Sequence, residues 1–113
     1  TGSIRLVETD PLKSNWIYVG GKIGLILSKD AGETWEKITV LNNPEKFPVS
    51  ALAINPLNSG EFIYGSAQAS FKTIDGGQTW TTAQFNTGKT VNLIRYDGQN
   101  PQNVFLGLSK INY

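Results

Sequence analysis

The 113 residues are enough for one domain with a modest core, and the 39% apolar share is ordinary for a globular protein. Charge nearly cancels, ten Lys and Arg against nine Asp and Glu, which excludes the clustered basic footprint of a nucleic-acid partner. The absence of His and Cys excludes imidazole-based triads, thiolate nucleophiles, disulfides and His- or Cys-ligated metals, and no cofactor is expected.

Charged residues, at 17%, fall below the usual ~25%, with Ser, Thr, Asn, Gln and Gly in their place: a β-rich, turn-rich composition. No apolar run approaches the ~18–20 residues of a membrane span, and the opening TGSIRLVETD is no signal peptide. The chain also lacks Met, which predicts a processed chain or a piece of something longer.

In chain order, IRLVET (4–9) reads as a strand in which Ile4 and Leu6 alternate with polar residues, before a turn at Asp10-Pro11. IYVG (17–20) is a short apolar strand ending at glycine, and GLILS (24–28) is the next. The third strand runs into Ser28-Lys29-Asp30-Ala31-Gly32-Glu33-Thr34-Trp35, and a fourth, TWEKITV, follows from the tryptophan. The order then returns: VSALAI (49–54) with Val49 and Leu52, a turn at Asn55-Pro56, FIYG (62–65), ASFKT (69–73) and TWTTAQF (79–85). It begins a third time with VNLIRYD (91–97), carrying Val91 and Leu93, and VFLG (104–107). No segment has a sustained 3.6-residue apolar period, so no helix is expected.

Asp30 and Asp75 lie 45 residues apart, as do Trp35 and Trp80; the third copy starts at an offset of 42. The expected units are 1–45, 46–90 and a half unit over 91–113. Four short strands per ~45 residues in tandem is the signature of β-propeller blades, each needing its neighbours to cover both faces of its sheet. The expected fold is therefore all-β: a partial propeller of about two and a half four-stranded antiparallel blades. Its cut edges predict self-association or pairing with missing blades.

The two segments Ser28–Trp35 and Thr73-Ile74-Asp75-Gly76-Gly77-Gln78-Thr79-Trp80 fit the pattern S/T-x-D-x-G-x-T-W. This pattern resembles the Asp-box, or bacterial neuraminidase repeat, and at this spacing the resemblance covers nearly the whole chain. It implies a propeller with the box between the third and fourth strands of a blade, and an extracytoplasmic setting.

Elementary chemistry gives the box a structural role. A short Asp side chain in a tight turn accepts bonds from nearby backbone N–H groups. Gly32 and Gly77 can take the positive φ such a turn needs, and Trp35 and Trp80 can cover it with apolar area. A catalytic pair or calcium site is the competing reading of Asp30 and Asp75. Equivalent positions in successive blades do not converge, however, and the calcium-loop pattern D-x-[DN]-x-[DN]-G is unmet.

Residues that break the repeat are free for function. Trp16, whose equivalents are Glu61 and Asn103, could stack on a sugar or anchor a partner, or simply pack on the preceding turn. The connections 41–48 and 84–90 should share one face with the turns between second and third strands. There Lys22, Lys46, Phe47, Phe85 and Lys89 are binding candidates, against the blander reading of a solvated basic rim. GGKIG lacks the rest of a phosphate loop. Tyr18, Phe62, Phe105 and Phe71 are expected in the core.

By resemblance, an Asp-box sialidase needs three arginines, a tyrosine nucleophile and an acidic partner, and this chain has only Arg5 and Arg95. Asp10-Pro11, Tyr18, Gly20 and Gly24-Leu25 before the box resemble xyloglucanase blades, whose chemistry requires two carboxylates flanking the glycosidic bond. Outside the box and the repeated turn positions Asp10 and Asp97, the acids are Glu8, Glu33, Glu36, Glu45 and Glu61, none at a recognisable motif. Non-catalytic relatives, resembling the photosystem II assembly factor and sortilin-type receptors, bind proteins or peptides. The expectation is a non-catalytic structural or protein-binding segment with an unspecified protein or glycan partner; a glycoside hydrolase fragment is the alternative.

Overall fold

β-Branched and aromatic residues fill short runs bounded by Gly, Asn, Asp and Pro, and these runs become strands because a pleated, half-buried surface suits them. The computed structural model describes residues 4–41, 43, 46–85 and 88–109, with side chains to residue 107. The strands are β1 (Ile4–Thr9), β2 (Ile17–Gly21), β3 (Gly24–Ser28), β4 (Glu36–Ile38), β5 (Val49–Ile54), β6 (Phe62–Ser66), β7 (Ala69–Thr73), β8 (Thr81–Gln84), β9 (Thr90–Tyr96) and β10 (Val104–Ser109). No described residue is helical. The strands form antiparallel sheets in the orders β1-β2-β3-β4 and β5-β6-β7-β8, with a β9-β10 pair.

The first strand of each unit does not alternate simply. Its pairing slips by one residue between Ile4 and Leu6, between Val49 and Ala51, and between Val91 and Leu93. Each slip is a β-bulge, at Arg5, Ser50 and Asn92, and a bulge reverses the inside–outside pattern of the residues before it. Val49 and Leu52 therefore share a face across three positions, whereas Val91 is buried and Leu93 is exposed. Strict alternation of Ile4 with Leu6 and of Val91 with Leu93 is corrected by this bulge.

Two apolar clusters lie between the sheets. The first joins Tyr18, Leu25, Leu27 and Ile38 of one sheet to Val49, Leu52, Ile54, Phe62, Tyr64 and Phe71 of the next. The second joins Ala51 and Ile63 to Val91 and Ile94. Tyr18 meets Phe62 at 5.2 Å between ring centroids across the first interface, a separation at which aromatic pairs add to simple burial.

The glycine one residue before the end of β2 and of β6 marks a close approach between sheets. A Cβ on Gly20 would lie 2.9 Å from Val49 Cγ1, and one on Gly65 2.7 Å from Val91 Cγ1. Only hydrogen fits between these backbones and the next sheet.

Phe105 departs from expectation. It is 60% exposed, whereas Tyr18, Phe62 and Phe71 are buried. Phe105 pairs with Arg95 on the face of β9-β10 turned away from the second sheet, and no described sheet covers that face.

Candidate functional site

The turns that link β3 to β4 and β7 to β8 are built on the same hydrogen-bond plan. In the first, Ser28 Oγ donates to Asp30 Oδ1 at 2.8 Å and accepts from Gly32 N at 2.8 Å. Thr34 donates to the same carboxylate twice, from N to Oδ1 at 2.8 Å and from Oγ1 to Oδ2. In the second, Thr73 Oγ1 donates to Asp75 Oδ1 at 2.7 Å and accepts from Gly77 N at 2.9 Å. Thr79 N and Gln78 N donate to Oδ1, and Thr79 Oγ1 to Oδ2. Gly32 and Gly77 have φ of 98° and 99°, the left-handed region that a Cβ resists. The Thr34 and Thr79 hydroxyls are the largest influence holding Asp30 and Asp75 down at about 2, since they bond the charged form.

These turns are anchored to the turn between the first two strands. Ala31 N donates to Asn15 O, and Gly76 N to Gly60 O, each at 3.0 Å. That neighbouring turn is itself held by Asp10, Asn55 and Asp97, whose Oδ1 atoms accept from Leu12, Leu57 and Gln99 N. Ser59 Oγ also donates to Asp10 Oδ1 at 3.2 Å, tying the first two sheets together.

The two motif tryptophans differ in environment. Trp80 stands edge-on to Tyr64 at 5.0 Å and to Phe62 at 5.7 Å, and packs on the first cluster. The 45-residue equivalents of Phe62 and Tyr64 are Ile17 and Val19, on the face of the first sheet turned away from the second. Trp35 there is 43% exposed.

Trp16 is half-buried against the first cluster. Lys13 Nζ lies 4.2 Å and Lys29 Nζ 4.8 Å from its ring centroid. The ring borders a groove of about 310 Å³ between the first two sheets, lined also by Tyr18, Leu27, Ile38, Glu36, Ser59 and Asp75. Sequence reasoning found Trp16 but missed both lysines. The available signal was that Lys13 and Lys29 also break the repeat, standing where the second unit has Asn58 and Ile74.

On the opposite face, Ser66 Oγ donates to Phe47 O at 2.8 Å and Phe85 N to Gln68 O at 2.7 Å. Phe47 is exposed and lines a pocket of about 420 Å³ with Ser66–Ala69, Phe71 and Gln84. Phe85 instead packs against the second cluster. Lys22, Lys46 and Lys89 are exposed on the turns and connections. Parts of the connections, including Glu45, and the chain end at Ile111-Asn112-Tyr113 lie outside the described residues.

The remaining acids are dispersed. Glu36 pairs with Lys29 at 3.3 Å and Glu61 with Lys72 at 3.6 Å. Glu61 also lies near Tyr96, whose hydroxyl is pushed up by burial and then by the Glu61 charge; it makes no hydrogen bond of standard geometry among the described residues. Glu8 borders a third concavity, about 480 Å³, that runs along β1, β5 and β9 and includes Arg5 and Arg95.

No family model matches this sequence, and no curated protein matches it. Solved structures do. An ancestral GH74 enzyme superposes with a TM-score of 0.76 at 22% identity, over 92% of this chain and 16% of that one. The structure of YCF48 bound to D1 peptide gives 0.66 at 16% identity, over 94% of this chain and 41% of that one. The GH74 xyloglucanase from Xanthomonas campestris gives 0.52 at 12%, over 95% and 27%. The fold is a partial β-propeller. At these identities the likeness speaks for fold alone, and the chain spans well under half of each matched structure. In propeller terms the two complete sheets are blades, β9 and β10 begin a third, and the aspartate turns stand between the outer strands of each blade.

Proposed function

We propose that the chain is a non-catalytic segment of a larger Asp-box propeller, serving a structural or protein-binding role. Its units are residues 1–45, 46–90 and 91–113. The observation that carries this reading is the commitment of six of the eight acids among the described residues, Glu8 and Glu33 being the other two. Asp30 and Asp75 are saturated within their own turns, Asp10 and Asp97 hold Asx turns, and Glu36 and Glu61 are paired with lysines. A glycosidase needs two carboxylates facing one bond, roughly 5–9.5 Å apart. The likeness to YCF48 with its bound peptide supports a protein partner, and the Asp-box resemblance supports a setting outside the cytoplasm.

The alternative, a piece of a glycoside hydrolase, is favoured by one observation: the superposition on the ancestral GH74 enzyme. Incubating the purified chain with xyloglucan and with a fluorogenic sialoside separates the two. The expected outcome is no product above buffer. Product release that disappears in Glu8→Gln would overturn the non-catalytic reading.

A further inference from the structure

We infer that the groove beside Trp16 binds a peptide carrying an apolar side chain next to a carboxylate; this rests on the protein-binding reading and names its site. The argument begins with the repeat. Lys13, Trp16 and Lys29 come from separate places in the chain, and none is what the fold requires there, since the second blade has Asn58, Glu61 and Ile74 instead. These departures converge within 5 Å of one another's charge and ring, at the mouth of one groove.

The chemistry of the groove then selects the ligand. Its floor is Tyr18, Leu27 and Ile38, which suits an apolar side chain. Of the charged groups that face it, Asp75 is bonded within its turn and Glu36 is bonded to Lys29. Lys13 has the indole face and no carboxylate partner among the described residues. Both ammoniums lie over the ring, so the indole is not a bare platform for stacking a sugar; it holds the cations toward the groove. A carboxylate can add to Lys13 without displacing it from the ring, whereas a stacked sugar must displace a lysine first.

Fluorescence anisotropy with fluorescein-labelled Gly-Ser-Gly-Leu-Asp-Leu-Glu-Gly tests this, against the same peptide with Asn and Gln for Asp and Glu. The acidic peptide should bind at least 10-fold tighter than its amide twin, and Lys13→Gln should weaken it about 5-fold while Lys13→Arg restores it, because a hydrogen-bonded charge pair contributes on this scale. Lys13 is exposed, so these variants keep the fold, which circular dichroism verifies. Equal binding of the two peptides, or no binding of either, overturns the inference. Binding that ignores Lys13→Gln also overturns it but leaves the protein-binding reading standing, with the site elsewhere. Displacement of the peptide by cellohexaose would show a glycan site and likewise overturn it.

Discussion

At the scale of single residues, the aspartate turns show why the motif has its spelling. The hydroxyl two residues before the aspartate and the threonine four residues after it clamp one carboxylate from both sides. The residue between Asp and Gly also lies in the left-handed region, Ala31 at φ 61° and Gly76 at 75°, a conformation glycine adopts freely and alanine adopts with strain. The low carboxylate values make a pH prediction. A folded value near 2 against an ordinary 3.8 means the turns stabilise the fold above about pH 4. That contribution is lost as pH falls through 2, because the unfolded chain takes up the proton first. Thermal unfolding followed from pH 6 to pH 2 should show a steeper acid decline in the native chain than in Asp75→Asn, which starts lower and falls less. Parallel declines would refute this account of the turn.

At the scale of elements, the sequence revealed what repeats by type and hid what repeats only by geometry. The glycine late in each second strand was legible in IYVG, FIYG and VFLG; at Gly20 and Gly65 its cause is the next blade's valine pressed on the backbone, whereas Gly107 meets Leu93 of its own sheet. The bulge in each first strand was not legible, because Arg5, Ser50 and Asn92 are polar residues between apolar neighbours, the same pattern that a strand without a bulge would show. What sets them apart is a slipped register, which exists only once the partner strand is in place. At the candidate site the same division holds: Trp16 stood out as a lone departure, while Lys13 and Lys29 became meaningful only when turns far apart in sequence met at its ring. The glycine contact can be measured. Gly65→Ala places a Cβ 2.7 Å from Val91 Cγ1 and should cost about 1–3 kcal/mol of stability by overpacking. Val91→Ala should itself destabilise by leaving space, yet the double substitution should recover much of the glycine cost, giving a favourable coupling in a denaturant double-mutant cycle. Strict additivity would mean that the blades do not meet there as described.

At the scale of the whole molecule, the repeat makes each blade face a half of an interface. Between the first and second blades, and again between the second and third, the later blade lays its first-strand valine on the earlier blade's glycine. The outermost faces carry the same parts without a described partner. One exposes Ile4, Val7 and Trp35, 57%, 59% and 43% accessible; the other exposes Leu93 and Phe105, 45% and 60% accessible. This is also why Phe105 could not be placed from the sequence: its position in the repeat matches Tyr18 and Ile63, which are buried only because another sheet lies against them. Contiguous exposed apolar surface of this kind drives association, and since the two faces are different halves of one interface, the contact is head-to-tail rather than two-fold. The purified chain should therefore associate as its concentration rises through the micromolar range, as sedimentation velocity would report. A head-to-tail contact uses both faces at every junction, so Val7→Lys alone and Phe105→Lys alone should each shift the chain toward monomer. An unmodified chain that stays monomeric across that range would show that these faces do not recognise one another, and a response to only one of the substitutions would mean a two-fold contact through that face.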